Sequence, residues 1–219
     1  MGLKVIITGT TGMVGKGVLL ECLEHPAVSE VLIINRSSIG MQHPKLKELI
    51  HKDFYNLQPV REQLQGYDAC FFCLGVSSVG MSEEAYAKPT YDLTLHFAET
   101  VINADMTFIY VSGSGTDSTE KGSIMWARVK GKTENALLKM PFKAAYIFRP
   151  GVILPVKGVK SKTPLYNFFY VIMRPIFPLM SKMNSVTDSA KVGQAMINVA
   201  LHGSDKVHLE NKDINELAE

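Results

Sequence analysis

Cysteine is scarce in this chain, at three residues in 219, and tryptophan occurs once. Three thiols cannot staple a fold of this size, so a disulfide scaffold is excluded and stability must come from a buried core. An excess of charge is missing too: 23 lysines and arginines face 21 aspartates and glutamates, a net charge of +2. That leaves no broad basic field to grip the phosphates of a nucleic acid. No apolar run is long enough to span a membrane. The nearest, residues 165–180, is interrupted by Arg174, Pro175 and Pro178 and reads as a buried or pocket-covering helix, with a membrane-surface or partner-binding face as the alternative. Met1-Gly2-Leu3-Lys4 carries no charged and then apolar leader, which with the few cysteines predicts a cytoplasmic protein. Repeats and low-complexity tracts are absent. What remains is 46% hydrophobic and 20% charged residues, ordinary for a globular protein. We expect a single domain over 1–219, with residues from 150 onward as a substrate-side elaboration.

Two periodicities alternate through the first two thirds. Leu3–Thr8, Val31–Ile34, Asp68–Leu74, Thr107–Ser112 and Ala144–Arg149 are continuous apolar runs, as strands buried on both faces require, and Glu48–Phe54 is a weaker one. Helical spacing fills the gaps: Met13–His25, a short Val60–Leu64, a long stretch from Glu83 to Ala104 and Ile124–Lys139. Pro89 is expected to start the main part of the long stretch, since proline suits a first turn. This order predicts an α/β fold, a Rossmann-type doubly wound parallel sheet covered by helices. Beyond Pro150, Ser189–Leu201 reads as a helix capped by Thr187 or Asp188, and Val207-His208-Leu209 as an edge strand.

The strongest chemical signal is Thr8-Gly9-Thr10-Thr11-Gly12-Met13-Val14-Gly15, which follows the first strand and opens the first helix. Gly9 suits the tight turn, Gly12 the close approach of a pyrophosphate, and Gly15 close helix–strand packing. The helix N-terminus then offers N–H groups and partial positive charge to the phosphates. At the end of the second strand an acidic residue would bind the ribose 2′-hydroxyl of NAD. Asn35-Arg36-Ser37-Ser38 stands there instead. Arg36 can pair with a 2′-phosphate and the serines can donate to it, which favours NADP(H) as the cofactor.

In this loop, Asn35-Arg36, Cys73-Leu74-Gly75, Val111-Ser112-Gly113-Ser114, Lys130 and Arg149-Pro150-Gly151, the chain resembles the short-chain dehydrogenase/reductase superfamily. It is most similar to the atypical, NmrA-like branch that includes Tat-interacting-protein-like NAD(P)-binding proteins. The resemblance runs from Leu3 to about Leu209. It implies that Asp53 and Phe54 lie near the adenine and that Leu74-Gly75 passes beside the adenosine ribose. It also implies that Ser112 or Ser114 polarises a substrate, that Lys130 holds the nicotinamide ribose, and that Pro150, Gly151 and Val152 border the nicotinamide.

One position departs from the family. The expected tyrosine, four residues before the lysine, is replaced in Trp126-Ala127-Arg128-Val129-Lys130. A phenol ionises and can pass on a proton, whereas an indole N–H only donates a hydrogen bond. Trp126 can therefore orient a carbonyl but cannot serve as acid or base. A water, a substrate-borne proton source, or another tyrosine such as Tyr91 or Tyr166 would have to compensate. Two functions follow: hydride transfer between NADP(H) and a small carbonyl, enone or quinone-like acceptor, or a non-catalytic NADP(H) sensor. The small-molecule substrate or protein partner stays unspecified, with no nucleic acid or membrane span expected and the oligomeric state open. Cys70 and Cys73 have redox-motif spacing, but an apolar strand points them to opposite faces, so they read as inert. The six histidines show no metal-ligand spacing. Lys157, Lys160 and Lys162 read as a solvated cluster, or as a contact to an acidic substrate or cofactor phosphate.

Overall fold

The computed structural model describes residues 2–157 and 185–219. The apolar stretch 165–180, Tyr166, Lys160 and Lys162 lie outside them. Seven strands form one parallel sheet: β1 (Leu3–Thr8), β2 (Val28–Asn35), β3 (Leu46–Ile50), β4 (Ala69–Phe72), β5 (Thr107–Val111), β6 (Ala144–Arg149) and, pairing with β6, a strand at His208–Glu210. The last is numbered β9, because β7 (Val152–Leu154) and β8 (Val186–Asp188) pair in parallel as a separate ribbon. The sheet order is β3-β2-β1-β4-β5-β6-β9. Sequence reasoning missed the ribbon, whose three-residue strands carry too little pattern to be seen.

Helices α1 (Met13–Glu24), α2 (Glu83–Ala87), α3 (Leu93–Val101), α4 (Met125–Leu137), α5 (Ser189–His202) and α6 (Asn211–Leu217) accompany the sheet. Alternate residues of β1 feed opposite cores. Val5 and Ile7 pack with Val18, Leu19 and Met196, while Ile6 packs with Phe72, Phe97 and Phe108. Both faces are therefore dry, which is why the strands read as unbroken apolar runs. Asp188, one of the two expected caps, accepts from Ala190 N and Lys191 N at 2.9 Å each and starts α5.

Two expectations need correction. The third strand is Leu46–Ile50, not Glu48–Phe54, since the chain leaves the sheet before Asp53 and Phe54. Pro89 does not begin the main helix, α3, which starts at Leu93. It sits in a wide π-turn, Lys88–Asp92, that joins α2 to α3. There the Leu93 N–H reaches back five residues to Lys88 O, which widens the turn just after the proline.

The strand order reverses at β1: the chain first winds outward through β2 and β3, then returns to place β4 on the other side. Ligands of doubly wound sheets bind outside the carboxyl ends at such a switch point.

Candidate functional site

A cavity of about 400 Å³ opens at that switch point, lined among others by Gly9, Thr11, Gly12, Asn35, Arg36, Asp53, Phe54, Leu74 and Gly75. Its floor is backbone. Gly9 has φ +71°, and a Cβ there would stand 2.6 Å from Cys73 O. A Cβ on Gly15 would stand 2.5 Å from Gly9 O. Neither place admits a side chain. No side chain caps α1 and no acidic residue occupies its first turn, so Met13, Val14 and the N–H groups around them present an unopposed positive helix end.

Side chains then fix the loop. Thr10 is buried and its Oγ1 donates to Asn35 Oδ1 at 3.0 Å, so Asn35 braces the glycine loop from the end of β2. The Asn35 Nδ2 is buried with no hydrogen-bond partner among the described residues. Thr8 Oγ1 accepts from Leu74 N at 3.2 Å and ties β1 to the segment after β4. Phe54 is buried and its ring stacks on Phe97 at 6.3 Å, giving the cavity an aromatic wall. Asp53 Oδ1 accepts from Tyr55 N at 2.9 Å. Arg36 and Ser37 are exposed at the mouth. The neighbouring serine differs from expectation: Ser38 Oγ donates to Glu48 Oε2 at 2.5 Å, and is thereby turned to β3. Lys52 adds a second cation to the lining, which sequence reasoning missed because β3 was placed too late in the chain.

A second cluster lies two strands away, at the carboxyl ends of β5 and β6. Lys130 on α4 donates from Nζ to Ser112 O at 2.5 Å. The same Nζ stands 4.0 Å from where a Cβ on Gly113 would be. Burial lowers the Lys130 ammonium from its ordinary 10.5 to about 8, while the Glu134 carboxylate, one turn along, pulls the other way. The two candidate serines separate here. Ser112 is buried and its Oγ donates to Phe148 O at 3.3 Å, so its hydroxyl is spent on the sheet. Ser114 is exposed, with its N–H held by Pro150 O at 2.9 Å and its Cβ 3.7 Å from the position of a Cβ on Gly151. Val152 is exposed at the start of β7. The far edge of the Trp126 ring, Cη2, lies 3.6 Å from the position of a Cβ on Gly115. The cation over the Tyr91 ring is the ammonium of Lys132, at 4.5 Å, and Lys132 faces solvent.

Charge and hydrogen bonds brace this cluster. Glu134 is fully buried and takes Arg149 through two contacts, the Nε one at 3.1 Å. Arg149 also donates to Ser118 Oγ at 2.5 Å, and His208 Nε2 lies 3.5 Å from Glu134 Oε2. Asp117 gathers the N–H groups of Thr119, Lys121 and Gly122, and its carboxyl is held below the usual range, first by the Thr119 hydroxyl. Asn211, unforeseen in the sequence, accepts the Gly151 N–H on Oδ1 at 2.9 Å. Lys157 is an anchor rather than a solvated or substrate-binding residue. Its Nζ lies 2.6 Å from both Glu21 and Glu24 on α1.

Cys70 and Cys73 are free thiols. Burial raises both, Cys73 to about 12 and Cys70 well above its ordinary value, which disfavours the reactive thiolate. Among the described residues no group of side chains could hold a metal ion, and no helix is long and apolar enough to cross a membrane.

The chain is 28% identical to Protein HTATIP2 of Rattus norvegicus over 69% of its own length and 63% of that relative's. It is 26% identical to Protein fmp52, mitochondrial, of Emericella nidulans, covering 96% of the chain and 97% of the relative. Several further fungal relatives of that name are also designated mitochondrial, which overturns the cytoplasmic expectation. Cysteine scarcity reports a reducing environment and does not tell one reducing compartment from another. Among solved structures, Gre2 of Candida albicans in complex with NADPH superposes with a TM-score of 0.70 at 13% identity, covering 95% of this chain and 77% of that one. The Helicobacter pylori ADP-L-glycero-D-manno-heptose-6-epimerase gives 0.71 at 17% identity, over 95% and 76%. At such identities these two establish the fold alone. The glycine loop, the switch-point cavity and the atypical short-chain dehydrogenase/reductase pattern meet in one assignment: residues 5–213 match the NAD dependent epimerase/dehydratase family, to which this chain belongs.

Proposed function

We propose that this chain is a single domain over 1–219 that binds NADP(H) and reduces a small carbonyl, enone or quinone-like acceptor. The observation that carries the cofactor is the switch-point cavity, where Arg36 and Lys52 meet a helix end with no opposing carboxylate. One acidic residue, Asp53, shares that lining, and one of its oxygens is taken by Tyr55 N. The group fits: glycine backbone forms the floor for a pyrophosphate, Phe54 and Leu74 form apolar walls for an adenine, and two cations suit a 2′-phosphate.

The nicotinamide, when bound, supplies the hydride. Lys130 holds the ribose beside it, and its ammonium is fixed in advance by Ser112 O. Ser114, rather than Ser112, orients and polarises the acceptor, because its hydroxyl is exposed beside Gly151. Pro150 and Gly151 form the wall on that side, held by Ser114 N and Asn211. Trp126 supplies an apolar edge.

A second reading, a non-catalytic NADP(H) sensor, is favoured by Trp126 standing where the family's proton-passing tyrosine belongs. One titration tests the cofactor. Trp126 is the sole tryptophan, so NADPH should quench its emission while gaining emission of its own. NADPH should bind at least about tenfold more tightly than NADH, and Arg36→Ala should remove that preference, the worth of one charged hydrogen-bonded pair. Equal affinities would sink the NADP(H) reading. Turnover of an aldehyde or quinone with NADPH then decides between enzyme and sensor.

A further inference from the structure

The lysine that the family uses beside a tyrosine stands here four residues after Trp126 instead, yet its surroundings are those of a group prepared to give up a proton. We propose that Lys130 is itself the proton donor of this chain, passing an Nζ proton to the acceptor oxygen in place of the absent tyrosine. The inference rests on the NADP(H)-oxidoreductase reading and concerns the same site.

Among the described residues the geometry limits the alternatives, and Tyr166 lies outside them. Trp126 occupies the tyrosine position and does not ionise. Tyr91 lies under Lys132, which is two residues on and therefore on a different face of α4. Tyr110 and Tyr86 are buried in the sheet and helix layers, and burial raises both phenols. Ser112 is turned inward to Phe148 O. Lys130 Nζ lies just past the carboxyl end of β5, against the backbone of Ser112 and Gly113 and one residue from the exposed Ser114. An ammonium has three donors. One is spent on Ser112 O, leaving two for a ribose hydroxyl and an acceptor oxygen.

The charged groups around it favour release over storage. Glu134 is the carboxylate that acts on Lys130, and it is committed to Arg149 of β6 with His208 of β9 beside it. No carboxylate accepts a hydrogen bond from Lys130 Nζ among the described residues. Burial thus dominates and brings the group to about 8, near the working range of a general acid.

The step balances. The two electrons arrive as the hydride and form a C–H bond at the carbonyl carbon. The C=O π bond breaks onto oxygen, that oxygen takes the proton from Nζ, and the neutral amine is reprotonated by solvent water. A quinone needs less of this help, because its reduced oxygens are weaker bases that water can protonate.

The test uses the full chain with Lys130→Arg, which keeps a cation for the ribose but cannot give up a proton. Para-nitrobenzaldehyde and phenanthrenequinone serve as acceptors, each with NADPH. Aldehyde reduction by the wild type should fall above about pH 8 with a single-proton slope, and Lys130→Arg should lower it about 10²–10⁴-fold and erase that limb. At saturating NADPH, quinone reduction should fall at least about tenfold less than aldehyde reduction, since any loss of ribose contact weighs on both acceptors alike. Trp126→Tyr combined with Lys130→Arg should recover aldehyde reduction. Without any cofactor, the nitrogen resonance of Lys130 in lysine-labelled protein, assigned by its loss in Lys130→Arg, should titrate near 8. A midpoint near the ordinary 10.4 overturns the proposal. So does an equal loss of both reductions in step with lost NADPH binding, or reduction of the quinone alone by the wild type. These last outcomes leave the oxidoreductase reading standing. NADPH binding with neither acceptor turned over sinks that reading and the proposal together.

Discussion

The two halves of the proposed site are built by different physics. The nucleotide half, from β1 to the segment after β4, is held by backbone contact and apolar packing: Gly9 against Cys73, Gly15 against Gly9, Phe54 on Phe97. The acceptor half, from β5 to β9, is held by charge in dry surroundings: Glu134 with Arg149, and Lys130 on Ser112 O. Changes in the first should act through shape and be indifferent to pH and salt. Changes in the second should act through charge and depend on both.

The largest expected effect is in the acceptor half. Glu134→Ala leaves the half-buried Arg149 with only the exposed Glu210 and Ser118 as partners and should lower unfolding free energy by about 2–4 kcal/mol, read by urea denaturation. A loss under about 1 kcal/mol would place the pair with exposed ones and break the contrast. In the nucleotide half, Gly15→Ala forces a Cβ to within 2.5 Å of Gly9 O. NADPH affinity should fall at least about a hundredfold by calorimetry, equally at low and high salt, while a salt-dependent loss would contradict a steric cause.

A smaller effect runs the opposite way. Lys130 is moved from 10.5 to about 8 by burial, so its charged form is disfavoured in the fold. Below about pH 8 the group is charged in both folded and unfolded chains, and the full burial penalty weighs on stability. As pH rises from about 8 to 10.5 the folded chain releases the proton first and the penalty fades. Lys130→Met should therefore stabilise the protein at pH 7 by roughly 1–3 kcal/mol, an advantage that shrinks by pH 10. Destabilisation at pH 7 would mean that its bond to Ser112 O outweighs the desolvation. Smallest of all, Arg128→Ala removes an exposed pair to Glu83 and a bond to Gly122 O. Stability should change by less than about 1 kcal/mol, with the change confined to hydrogen exchange in the 117–124 loop.

The nucleotide half was the more legible of the two. Its glycines, its buried strands and Arg36 are local features, and each reports a requirement that holds within a few residues. Lys52 escaped because its place in the cavity depends on where β3 ends. The acceptor half hid more. Ser112 and Ser114 look equivalent along the chain, and only the packing of β5 against β6 turns one inward to Phe148 O. Asn211 approaches Gly151 across sixty residues. Lys157 resembled its basic neighbours until α1 brought Glu21 and Glu24 to it.

By itself the sequence determined the parallel sheet, the glycine loop at its switch point and the exchange of tyrosine for Trp126, because periodicity, glycine spacing and residue chemistry are properties of the chain before it folds. The tertiary structure decided which serine turns inward to Phe148 O, which cations line the switch-point cavity and that burial lowers Lys130. Those depend on distance and burial, which arise when segments far apart in sequence exclude water together.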